Sequence, residues 1–161
     1  MISSKTTPSR SFSRTAPLTV SANSIVTSVL TVQTPGTGFV DLTAEVAKFI
    51  GEAGAKEGAV TLFVRHTSAS LTIQENADPS VLADLATALD RLAPANAGWR
   101  HDAEGPDDMP AHVKTMLTAV SLHIPVLGGD LALGTWQAVY LIEHRARPHH
   151  REIVLQFIGA A

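Results

Sequence analysis

Regular patterning begins at Ser24. The stretch SIVTSVLTVQT (24–34) is dense in β-branched residues, which suit a pleated, half-buried strand, and PGTG (35–38) ends it as a turn. In VDLTAEVAKFIGEAG (40–54) the period changes. Leu42, Val46, Phe49, Ile50 and Ala53 fall at i, i+4, i+7, i+8 and i+11, a single helical stripe that stops near Gly54. A compact apolar run over 59–65 predicts the next strand. The small residues Thr67, Ser68, Ala69 and Ser70 predict a bend, and alternation resumes through Leu71 and Ile73.

Asp78 before Pro79 is an N-cap and first-turn pair, and PSVLADLATALDRLA (79–93) places Val81, Leu82, Leu85, Ala86, Leu89 and Leu92 on one helical face. After a loop over 94–109, Pro110 can open a third helix that turns Val113, Met116 and Leu117 inward, with Asp107 or Asp108 supporting its N-terminus electrostatically. SLHIPV (121–126), LALGTWQAVYLIEH (131–144) and REIVLQFIGA (151–160) read as closing strands, the first two joined through the GGD turn at 128–130. Strand, helix, two strands, two helices and three strands predict an α+β fold: one domain over 23–161, a mixed or antiparallel sheet sandwich with three helices. A sandwich partner or a subunit interface would cover any exposed sheet face.

Composition narrows the function classes. A chain of 161 residues, 45% hydrophobic and 17% charged, fits one core and leaves a surface short of charge, which favours self-association. Residues 1–40 carry Lys5, Arg10 and Arg14 and no acid; from Asp41 onward nine basic side chains face fifteen acidic ones. So acidic a body suits nucleic-acid phosphates poorly, and no nucleic acid is expected as a partner. With no cysteine there is no disulfide, thiolate metal site or Cys nucleophile, and no apolar run approaches the roughly 20 residues that span a bilayer. The expectation is a cytoplasmic protein without a membrane partner. Residues 1–22 read as a disordered tail, although their Ser, Thr and Arg content without acid is also the bias of a transit peptide.

The candidate chemistry centres on HDAEGPDDMPAHVK (101–114). His101 and His112 flank its carboxylates, and His66 ends a buried strand just before the small-residue bend. Three imidazoles from separate elements can hold one divalent cation, zinc or magnesium, and leave a position open for water or substrate. The carboxylates do not fit a calcium hand, because Gly105 comes too early and no Glu closes the loop. Among them Asp102 is favoured for chemistry, with Asp107 and Asp108 assigned to the helix start. Thr67 and Ser68 offer hydroxyls and backbone N–H groups to an anionic ligand, and Glu75 is a candidate base beside Asn76. Lys114, about 200° round the helix from His112, is expected on the surface, and His123, His144, His149 and His150 read as surface or strand-end residues without a role.

Taken in order, HTSASLTIQENADPSVLADL, WRHDAEGPDDMPAHVK, SLHIPV and LALGTWQAVYLIEHR closely resemble the YjbQ-like family, often named secondary thiamine-phosphate synthase. The resemblance covers residues 24–160. It implies an α+β homotrimer with a weak ability to join a pyrimidine pyrophosphate to a thiazole phosphate, releasing pyrophosphate. It also implies catalytic roles for His66, Glu75, Asp102 and His112, binding of a small phosphorylated substrate by Thr67, Ser68, Asn76, Trp136 and Gln137, and a divalent metal on His66, His101 and His112. Two other expectations stand beside this one: a metal- or phosphate-binding module without catalysis, and a metal-dependent hydrolase.

Overall fold

The computed structural model describes residues 12–161; the first half of the expected N-terminal tail lies outside the described residues. Eight strands and three helices follow in the order β1 (Ser24–Thr34), β2 (Gly38–Asp41), α1 (Thr43–Glu52), β3 (Glu57–Val64), β4 (Ala69–Glu75), α2 (Pro79–Leu92), α3 (Asp108–Leu117), β5 (Ser121–Leu127), β6 (Asp130–Leu131), β7 (Gln137–Glu143) and β8 (His149–Ala160). They build a five-stranded sheet, β1-β8-β3-β5-β6, facing a three-stranded sheet, β2-β7-β4. Every strand pairing is antiparallel, so the α+β sandwich with three helices holds and its sheets contain no parallel pair.

Alternation decides which side chains enter the space between the sheets. From β8, Ile153, Leu155 and Phe157 point inward and meet Val60, Leu62 and Val64 of β3 and Leu71 and Leu141 of the facing sheet, while Val46, Phe49 and Ile50 of α1 enter the same core. The outward positions of the large sheet pair Ile25 with Ile158 and set Val154 beside both Val29 and Phe63. Ile25, Val29, Phe63 and Ile158 are exposed, a patterned apolar face that no described residue covers.

β7 behaves differently. Its residues from Ala138 to Glu143 are all buried, because one face meets the core and the other faces the helical layer, where Ile142 lies near Leu85, Ala86 and Leu89 of α2. That two-sided burial explains why AVYLIE reads as an unbroken apolar run.

Three boundaries depart from the sequence reading. Residues 38–41 form the short strand β2, since Gly38 to Asp41 pair with Glu143 to Tyr140; four residues carry too little alternation to be recognised. β7 starts at Gln137 rather than 131, because Gly134 to Gln137 close a turn in which the Gln137 side chain accepts from the Gly134 N–H at 2.7 Å. α3 starts at Asp108, two residues before Pro110, whose missing N–H falls in the first turn and costs the helix nothing. At α2 the expected cap is present: the Asp78 carboxylate accepts from the Ser80 N–H at 2.8 Å.

Candidate functional site

The early start of α3 has a chemical consequence. Asp108 and His112 become i and i+4 neighbours on one helix flank, and the preceding loop brings His101 against them. One donor atom from each of these three residues lies within 4.8 Å of the other two. The Asp108 carboxylate is 4% exposed; its Oδ2 lies 2.8 Å from His101 Nε2 and 3.7 Å from His112 Nε2, yet accepts no aligned hydrogen bond from either. A buried carboxylate oxygen without a partner, faced by two imidazole nitrogens, is the arrangement a cation would complete.

The other oxygen of that carboxylate is tied down by Arg145, which follows β7. Its guanidinium donates to Asp108 Oδ1, to Asp107 Oδ2 at 3.2 Å and to the Glu104 carbonyl at 2.7 Å. One arginine thus holds the loop and the first turn of α3 to the end of the small sheet. Asp107 caps nothing with its side chain: it accepts from the Ala146 N–H and from Arg145. Burial alone would raise its carboxyl, but these donors hold it below the usual carboxylate range.

His66 belongs to a neighbouring network. Its Nδ1 accepts from the Ser68 N–H at 3.1 Å, which places the ring proton on Nε2. Partial burial, then the Arg151 charge, lowers its pKa, so the ring is neutral near pH 7. A neutral imidazole with its proton on Nε2 donates a hydrogen bond there and does not offer that nitrogen to a metal. Behind it lies a fully enclosed ion pair, Arg151 with Glu143, whose contacts are 2.7 Å from Nε and 2.6 Å from Nη2. Arg151 also donates to Ser68 Oγ at 3.1 Å, and Thr34 donates to Glu143 at 2.9 Å. Ser68 is 2% exposed, too enclosed to attack a substrate.

Of the residues expected from sequence, His101 and His112 stand together, with Asp108 beside them rather than His66. Asp102 is exposed in a turn, and among the described residues its side chain accepts no hydrogen bond; only its carbonyl is used, by the Gly105 N–H. Thr67 is exposed beside His66. Glu75, Asn76, Trp136 and Gln137 gather elsewhere: Glu75 pairs with Gln137, the Asn76 N–H donates to the Trp136 carbonyl, and the Trp136 indole is 65% exposed. β4 runs six residues from Ala69, paired to Glu143, to Glu75, so the two groups are about 20 Å apart at 3.3 Å per residue.

Lys114, expected on the surface, is buried, and so is His144, which follows the end of β7. Lys114 donates to Asp90 at 2.5 Å, and the His144 ring nitrogen Nε2 lies 2.8 Å from Ser70 Oγ. Sequence reasoning assigned Asp108 to the helix start and passed over Arg145 and the Arg151–Glu143 pair. For Asp108 the signal was the D-x-x-x-H spacing, hidden by starting the helix at Pro110. Arg151 announced itself by sharing the inward register with Ile153, Leu155 and Phe157.

Comparison with known proteins agrees with this architecture. The family model described as UPF0047 protein YjbQ-like matches residues 28–160. The UPF0047 protein sll1880 of Synechocystis is 48% identical over 132 residues, covering 81% of this chain and 90% of its own, and the UPF0047 protein YjbQ of Salmonella typhimurium is 44% identical over 123 residues, covering 76% and 89%. The crystal structure of a conserved hypothetical protein from Thermus thermophilus superposes with a TM-score of 0.72 at 39% identity, over 81% of this chain and 98% of that one. With a family match over most of the chain, relatives near half identity and the same fold, the chain belongs to the YjbQ-like UPF0047 family.

Proposed function

We propose that the chain is a metal-assisted transferase acting on small phosphorylated molecules, of the kind that joins a pyrimidine pyrophosphate to a thiazole phosphate. The observation that carries this reading is the unpartnered, buried Oδ2 of Asp108 between His101 and His112. Two imidazoles and one carboxylate suit zinc better than magnesium, which prefers oxygen ligands and keeps its waters. Such a metal would supply Lewis-acid neutralisation of the charge that develops on a departing pyrophosphate. In the reaction a carbon–oxygen bond to pyrophosphate breaks, its electron pair leaves with the oxygen, and the thiazole nitrogen forms the new carbon–nitrogen bond. The chain's own contributions are distinct. Arg145 fixes Asp108, and His66, with its proton on Nε2, donates to an oxygen of the leaving group.

Metal analysis of the purified protein and of Asp108→Asn and His112→Ala tests the reading. The parent should carry about one equivalent of metal, and either variant should bind it at least roughly tenfold more weakly. Full metal retention in both variants would remove the site. With metal present, pyrophosphate release that requires both precursors supports the transferase; hydrolysis of either alone favours a hydrolase, and binding without turnover a binding module.

A homotrimer is part of the same proposal. The exposed Ile25, Val29, Phe63 and Ile158 face favours self-association, and a cyclic assembly could bring the Trp136 end of one copy to the Asp108 end of the next. Phe63→Lys should shift the sedimenting species to monomer; an unchanged mass would place the interface elsewhere.

A further inference from the structure

α2 carries an apolar stripe, yet none of its residues is buried. A cavity of about 480 Å³ opens at its C-terminal end, walled by Ala93, Pro94 and Ala95 on one side and Pro110 of α3 on the other. Lys114, His144, Thr37, Asp90 and Asp107 supply its polar groups, and a narrower recess that Thr37, Lys114 and His144 also border runs on under Ala86 and Leu89. A volume of this size, mostly apolar with a few convergent polar groups, is that of a small-molecule pocket. None of His101, Asp108 and His112 lines it, since Lys114 projects from the opposite flank of α3.

Lys114 sets the chemistry. Its ammonium is buried, and among the described residues it donates only to Asp90, whose side chain is 66% exposed. A buried cation needs a counter-charge, but an exposed carboxylate can turn back to water at little cost and leave the ammonium to an entering anion. Lys114 is also the sole cationic side chain on the cavity wall, where Asp90 and Asp107 contribute negative charge. With Asp107 already paired to Arg145 and Asp90 turned to water, Lys114 offers one positive charge, which a monoanion matches and a dianion exceeds. Beside Lys114 the neutral His144 ring keeps Nε2 on Ser70, and its Nδ1 makes no hydrogen bond among the described residues.

We infer that this cavity is a second small-molecule site for a ring-bearing monocarboxylate, its carboxylate on Lys114 in place of Asp90 and its ring between Pro94 and Pro110. The inference stands apart from the metal reading. Asp107, however, both lines the cavity and shares Arg145 with Asp108, so a bound ligand touches the group that steadies the metal residues.

Sodium benzoate is the probe, with benzamide as its neutral counterpart and phenyl phosphate as the dianion, titrated by calorimetry or ligand-observed NMR. Benzoate should bind saturably and about tenfold more tightly than either comparison compound. Binding should survive chelator treatment, which separates this site from the metal group. Lys114→Gln should weaken benzoate about tenfold, while Asp90→Asn, a surface change that removes the competing carboxylate, should tighten it several-fold. Equal binding of benzoate and benzamide, weaker binding by Asp90→Asn, or preference for phenyl phosphate would each overturn the inference.

Discussion

Arg151→Met should lower the free energy of unfolding by about 3–5 kcal/mol, the usual consequence of stripping one partner from a buried ion pair. Glu143 is 0% exposed; with Arg151 gone it keeps only Thr34 and the Arg145 N–H as donors, and its charge remains in a site closed to water. Burial would push this carboxyl up, but the Arg151 hydrogen bonds, with those from Arg145 and Thr34, hold it below its ordinary value. Such a depressed carboxylate contributes stability above the unfolded-state pKa and loses it as pH falls through the folded one. In Arg151→Met that contribution goes at neutral pH as well. Urea unfolding monitored by circular dichroism measures it, and the double variant Arg151→Met, Glu143→Leu should recover most of the loss, because two apolar side chains leave no uncompensated charge. A single variant within about 1 kcal/mol of the parent would mean that water reaches this pair.

His144 provides the second large effect. Burial foremost, then the Lys114 charge, pushes its pKa down to about 4, against the partial opposition of Glu143, with Arg151 adding to the fall and Asp90 opposing it. Between pH 6.5 and about 4 the unfolded chain binds a proton there that the folded chain refuses, so stability falls with pH across that window. A displacement of this size corresponds to about 3 kcal/mol. His66, lowered in the same direction, adds to the slope. His144→Gln keeps a partner for Ser70 and removes the titration, and unfolding midpoints taken from pH 7 to pH 4 should fall less steeply than those of the parent. Equal slopes in the two proteins would assign the acid sensitivity to other groups.

What the sequence revealed followed from periodicity. The α1 stripe, the Asp78–Pro79 start of α2 and the alternating register of β8 each depend on neighbouring residues, so one chain sufficed to place them. The site depended on distant partners. Nothing local to Asp108 announces Arg145, 37 residues later, and nothing local to Lys114 announces Asp90, 24 residues earlier. The first contact joins the start of α3 to the end of β7 and the second joins α3 to α2, both products of tertiary packing. The structure sets Asp108 rather than Asp102 against the two imidazoles, and the difference turns on the helix boundary: moving the start by two residues exchanges a capping carboxylate for one facing two imidazoles. Trp136 and Gln137 were legible as a motif, but their place at the far end of β7 required the strand pairing.

Covered on both sides, β7 gives the protein a graded rigidity. Its amides open only when the sandwich comes apart, whereas α2, with no buried side chain, can lift away locally at far lower free energy. Arg145, which fixes Asp108, follows that strand, whereas Asp90 of the cavity wall belongs to the helix. The placement of Asp108 against His101 and His112 thus rests on the rigid strand, while one wall of the cavity shares the breathing of α2.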